Sequence, residues 1–152
     1  MTRINLVPVE NLADQHLFAE WREIKMVPAA LRRSLRTKSI QVIQNNVPSR
    51  YTLNTGHVTF FYNKMKFLSE RYRLLTGELV KREYNIKSDP DFRYFFGDLP
   101  KEFNHVDWHP DKKEVDINIE RISARISEKP DWYRYYGKRV KEGYFDEIYS
   151  TL

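Results

Sequence analysis

Apolar residues recur at helical spacing in three stretches of the chain, with turn-like chemistry between them. In the first, at about 100° per residue, Ala13, Leu17, Phe18, Trp21 and Ile24 fall within one arc; Gln15, His16, Arg22, Glu23 and Met26 fall opposite. This predicts a helix from about Asn11, a suitable N-cap, to about Thr37. Pro28 should kink or restart it, because proline lacks a backbone donor and crowds the preceding turn. Residues 38–58 show no helical period and contain the turn-like cluster Asn45-Asn46-Val47-Pro48. The second pattern, Phe61, Met65, Leu68, Tyr72, Leu75 and Leu79, alternates spacings of four and three and predicts a helix from about Val58 to Arg82. Residues 84–109, aromatic and proline-containing, are expected to form a long ordered loop. The third helix should start at Pro110, where proline suits a first turn, and stop before Pro130. Its apolar row is Val115, Ile119, Ile122 and Ile126, and a separate row of Glu114, Asn118, Arg121 and Arg125 stacks on another face. Strand signals are weak throughout. The expected fold is all-α, a single compact domain of three main helices with long ordered loops. Residues 1–140 would form the domain and 141–152 an acidic C-terminal extension.

A chain of 152 residues can bury about 68–70% of the surface its unfolded form exposes, so an ordinary core is within reach. Cysteine is absent, which excludes disulfides, thiolate nucleophiles and Cys-ligated zinc together. The amino terminus is too poor in apolar residues for a signal peptide, and no run approaches a membrane span. A cytoplasmic, monomeric protein without a membrane partner is the expectation. The net charge of +5 is modest, but its distribution is uneven. Residues 1–50 hold eight Lys/Arg against four Asp/Glu, and residues 121–141 hold seven against two. Basic residues concentrated in two distant segments suggest a surface for a polyanion; the plainer alternative is a solvated basic exterior.

No glycine-rich phosphate loop is present. His105 and His109, with Asp107 between and Asp111 after, have spacing compatible with a metal, but Pro110 interrupts any helix presenting both rings, and a surface loop is expected. Trp132-Tyr133-Arg134-Tyr135-Tyr136-Gly137-Lys138 interleaves four aromatics with two cations. Such rings stack on bases while the cations neutralise phosphates, or they pack the C-terminal segment onto the core, as is expected of at least two of them. Glu23, flanked by Arg22 and Lys25, is either a surface ion-pair partner or a catalytic acid. One unusual nucleophile exists, the chain's own α-amine, whose reference pKa of about 7.7–8.0 leaves it partly neutral where lysine, near 10.4, is protonated.

Three blocks carry a resemblance. They are Met1-Thr2-Arg3-Ile4-Asn5-Leu6 with Leu12-Ala13-Asp14-Gln15-His16-Leu17 and Ala19-Glu20-Trp21-Arg22-Glu23; Gly56-His57-Val58-Thr59-Phe60-Phe61-Tyr62; and the Trp132–Lys138 motif. In order and approximate spacing they resemble the pyrimidine-dimer DNA glycosylase and abasic-site lyase family. The resemblance implies cleavage of the glycosidic bond of the 5′ pyrimidine of a cyclobutane dimer in double-stranded DNA, then strand scission by β-elimination. It implies the α-amine of Thr2, after loss of Met1, as nucleophile and Glu23 as catalytic carboxylate, with no metal or other cofactor. Arg3 and Arg22 would hold phosphates, as would Arg121 and Arg125; Gln15 and His16 would contact DNA near the lesion, and Trp132 and Tyr133 belong to the C-terminal motif. Met26 stands where the family has an arginine, which predicts a weaker phosphate clamp and motivates a rival reading with another damaged base as substrate. A further rival is a non-catalytic DNA-binding module.

Overall fold

In a computed structural model that describes residues 4–86, 92–104 and 107–152, the first helical pattern is realised as two helices, α1 (Asp14–Glu23) and α2 (Met26–Ser34). A 3-10 turn at Val9–Asn11 precedes them, so Asn11 closes that turn and the N-cap of α1 is Ala13. The break falls at Ile24-Lys25, before Pro28 and not at it. A helical proline ring collides with the carbonyl four residues earlier, so the chain interrupts there, and Pro28 lies in the first turn of α2, where its missing donor would be unpaired anyway.

The stretch without helical period contains α3 (Ile40–Asn45), capped by the Ser39 hydroxyl accepting from the Val42 N–H at 3.2 Å. Six residues are too few to display a period, and Ile43 is its one buried residue. The second pattern also divides, into α4 (His57–Phe60) and α5 (Met65–Lys81). Lys64 occupies the junction and donates its ammonium to the Phe60 carbonyl at 2.8 Å and to Asn63 Oδ1 at 2.9 Å. Burial holds its pKa down at about 8. All six residues of the expected seam, Phe61 to Leu79, are buried. The stretch expected as a loop contains α6 (Arg93–Phe96) and a 3-10 turn at Lys101–Phe103.

The third helix is α7 (Lys112–Glu128). Its N-cap is Asp111, one residue beyond the expected start, because Asp111 and Glu114 form a reciprocal capping box. Beyond it Arg134–Tyr135 (β1) pairs antiparallel with Lys138–Arg139 (β2) in a hairpin that the weak strand signals did not announce. Tyr136 and Gly137 at its tip both have positive φ, the geometry of a tight two-residue turn. A last helix, α8 (Tyr144–Tyr149), buries Phe145 and Tyr149 and donates a hydrogen bond from Tyr149 Oη to the Asn11 carbonyl at 3.0 Å.

The N-terminal segment runs between α5 and α7, held largely by side chains. Asn118 Oδ1 accepts from the N–H groups of Leu6 and Val7 at 2.7 and 3.2 Å. Arg71 donates to the Val7 carbonyl at 2.8 Å, and Arg82 to the Leu12 carbonyl at 2.8 Å. Ile4, Val7 and Leu12 are fully buried. Extended backbone is thus enclosed in a helical domain because buried polar side chains satisfy its donors and acceptors.

Candidate active site

A cleft of about 320 Å³ opens where α1, α7 and the N-terminal segment meet. It is lined by Glu23, His16, Arg121, Arg125 and Tyr133, together with Asn5, Ala19, Glu20 and Ile122. Residues far apart in sequence meet here for a simple reason. His16, Ala19, Glu20 and Glu23 share one face of α1 at helical spacing, and Ile122 of α7 packs into the core beneath them.

The two carboxylates of that face have different surroundings. Glu20 is buried and accepts from Arg71 through both oxygens, at 2.7 and 3.0 Å, and from Asn5 Nδ2 at 3.0 Å. The carboxylate of Glu23, partly exposed on the last residue of α1, makes no hydrogen bond or ion pair among the described residues. A helix C-terminus is a poor place for an anion, and the same cleft is lined by two cations, Arg121 and Arg125. Arg121 also donates to Asn54 Oδ1 at 3.2 Å, and Arg125 lies 3.6 Å from Glu128.

His16 packs at a tilt of 32° against Tyr133, ring centroids 4.8 Å apart, and its buried Nδ1 has no hydrogen-bond partner among the described residues. Burial first, and then the nearby Arg125 charge, push its pKa down to about 4. The ring is therefore neutral at physiological pH, an apolar wall with a bare nitrogen rather than a cation.

Other residues singled out in the sequence stand outside the cleft lining. Gln15 is engaged at both ends, its amide donating to the Trp132 carbonyl at 2.7 Å and its oxygen accepting from the Arg134 N–H at 3.0 Å. Trp132 is 54% exposed and packs edge-on against Tyr133. Arg22 is exposed on α1 beside Glu23, and Met26, 51% exposed, opens α2. Lys25 places its ammonium over the Trp21 and Phe95 rings, 4.8 and 5.6 Å from their centroids. Thr2 and Arg3 lie outside the described residues, but Asn5, three positions after Thr2, lines the cleft.

Of the possible metal cluster, His105 is outside the described residues, His109 is exposed at 3.6 Å from Asp107, and Asp111 is committed to capping α7. No group of three or more His, Asp or Glu suited to a metal occurs among the described residues. No helix of the described residues is long and apolar enough to cross a membrane.

Sequence reasoning missed Asn5, Glu20 with Arg71, and Asn118. The signal available for Asn118 was its place midway along the polar row of α7. Residues 1–91 match a family model for pyrimidine dimer DNA glycosylase, a span that includes Glu23 and His16 and ends before α7.

Proposed function

The chain belongs to the pyrimidine dimer DNA glycosylase family, and from that premise we propose that it opens UV-damaged duplex DNA by imine chemistry at its own amino terminus. The neutral α-amine of Thr2, after loss of Met1, attacks C1′ of the 5′ pyrimidine nucleotide. The N–C1′ bond forms as the glycosidic bond breaks, and the base departs with the electron pair and takes up a proton. Loss of one amine proton and opening of the C1′–O4′ bond, with O4′ protonated, give the protonated imine. This cation draws electrons from C2′; removal of a C2′ proton expels the 3′ phosphate and nicks the strand.

Glu23 stabilises the cationic transition state and carries protons between the sugar atoms. Arg121, Arg125, Arg22 and Arg3 hold the flanking phosphates, and Trp132 with Tyr133 supplies aromatic surface beside them. The observation supporting this reading is the cleft, which joins a carboxylate with no partner among the described residues to two cations beside the N-terminal segment. The chain's own residues account for each step without a cofactor.

Borohydride trapping tests the reading on three duplexes containing a cis-syn thymine dimer, an abasic site or no damage, in EDTA. A covalent adduct on the dimer and abasic duplexes, abolished by acetylating the α-amine, is expected. Trapping that survives acetylation would sink the mechanism. Met26 in place of a cation favours one variant of the reading, the same chemistry on an oxidised or alkylated base, and adducts on those duplexes but not on the dimer would establish it. Salt-dependent binding without any adduct would identify a non-catalytic DNA-binding module instead.

A further inference from the structure

Ile4 is held at both of its backbone groups by side chains from one short segment. Its N–H donates to His57 Nε2 at 2.8 Å, and its carbonyl accepts from Tyr51 Oη at 2.9 Å. All three residues are buried, His57 to 1% exposure.

The bonding fixes the state of the imidazole. His57 Nδ1 lies 2.7 Å from the Thr52 carbonyl oxygen, which only accepts, so Nδ1 carries the ring hydrogen. Nε2 is then the bare nitrogen that receives the Ile4 N–H. The ring is held edge-on between Tyr51 and Phe61, each with its centroid 5.5 Å away. Gly56, with φ +95°, makes the turn that delivers His57 to the start of α4; a Cβ there would come within 3.1 Å of Pro48.

A backbone clamp of this kind at Ile4 has a consequence two residues upstream. Each residue spans at most about 3.6 Å, so the Cα of Thr2 can lie no more than about 7 Å from that of Ile4, whatever its direction. We propose that His57 and Tyr51 are positioning residues for the reaction. By clamping the peptide groups of Ile4, they fix the anchor from which the Thr2 amine is presented to the Glu23 cleft. This inference rests on the reading of Thr2 as the nucleophile.

The test compares His57→Asn, His57→Gln and Tyr51→Phe. Asparagine keeps an amide donor near Nδ1 but places nothing near Nε2, whereas the longer glutamine brings an acceptor oxygen close to the Nε2 position. Three quantities are measured in the full-length protein: the single-turnover rate of borohydride trapping on the dimer duplex, the affinity for that duplex, and hydrogen exchange of the Ile4 amide. In His57→Asn the trapping rate should fall by about 100-fold while affinity stays within about twofold, because only the placement of the nucleophile is disturbed. Ile4 exchange should accelerate in the same variant. Glutamine should restore trapping to within about tenfold of the unmodified protein, and Tyr51→Phe should lose about tenfold.

Wild-type trapping rates in folded His57→Asn, with Ile4 exchange accelerated, would overturn the proposal alone. Should His57→Asn not fold, Tyr51→Phe decides: unchanged trapping with accelerated Ile4 exchange overturns the proposal. Trapping by the acetylated unmodified protein would instead remove the amine reading, and this proposal with it.

Discussion

At the scale of single residues, burial decides what each charge can do. His16 is kept neutral in the fold with a pKa near 4, while the unfolded chain protonates it near 6.5. The unfolded state therefore binds more protons between those values. The contribution of His16 is fully present above about 6.5 and is lost as pH falls toward about 4, by up to about 3 kcal/mol. Urea denaturation at stepped pH should show this slope, and His16→Phe should remove most of it. Glu20 and Glu23 offer a second contrast, since both are carboxylates on one face of α1. Glu20→Ala strands the Arg71 guanidinium in the core and should cost about 3–5 kcal/mol of stability. Glu23→Gln removes no described contact, so it should leave the melting temperature within a few degrees while abolishing glycosidic cleavage. Thermal melts and nicking assays of the two variants check the contrast.

At the scale of elements, the hairpin shows how an irregular piece is secured by a helix end. Asp14, in the first turn of α1, accepts from Tyr136 and Gly137 N–H groups at 3.1 and 2.7 Å, and also from Arg82 and Tyr84. Burial opposes its charge, but these bonds prevail and hold its carboxyl below the ordinary range. Arg82 also lies beneath the rings of Tyr135 and Tyr136. Asp14→Ala should cost about 3–5 kcal/mol, since it leaves Arg82 short of a buried partner, and should accelerate exchange at the Tyr136 and Gly137 amides. Dimer-duplex affinity should weaken as the aromatic turn loosens. Much of this level was legible beforehand. The apolar seam of α5 from Met65 to Leu79 was legible, though not the buried Arg71 and Glu78 beside it, and the shared face of His16 and Glu23 followed from helical spacing. The hairpin was not, because its bonds run to Asp14 and Gln15, more than a hundred residues earlier. Nor did spacing show that the polar row of α7 divides, with Glu114 and Asn118 buried and Arg125 exposed. A helical period identifies a face but not which of its turns another segment covers.

At the scale of the whole molecule, only the later of the two basic segments brings cations to the cleft, Arg121 and Arg125, while the earlier one contributes Asn5, His16, Glu20 and Glu23. Each cation that neutralises a phosphate releases about 0.9 counterion from a duplex, so Arg121→Ala and Arg125→Ala should each reduce the salt slope of binding by about one. Affinity should fall on damaged and undamaged duplexes alike. Titrations at several salt concentrations measure both quantities, and an unchanged slope would place that arginine away from the phosphates.

The enclosure of the N-terminal segment also orders events in time. Leu6 and Val7 are secured by Asn118, a residue made more than a hundred positions later. These early-made residues thus wait for a late-made partner before they are locked in place. At about 5–20 residues per second, that delay is roughly 5–20 s. Throughout it the segment that carries Asn5 is not yet enclosed, and the cleft that Asn5 lines lacks the helix that forms its far wall. A half-made copy therefore has one wall of the cleft without Arg121 and Arg125 opposite it.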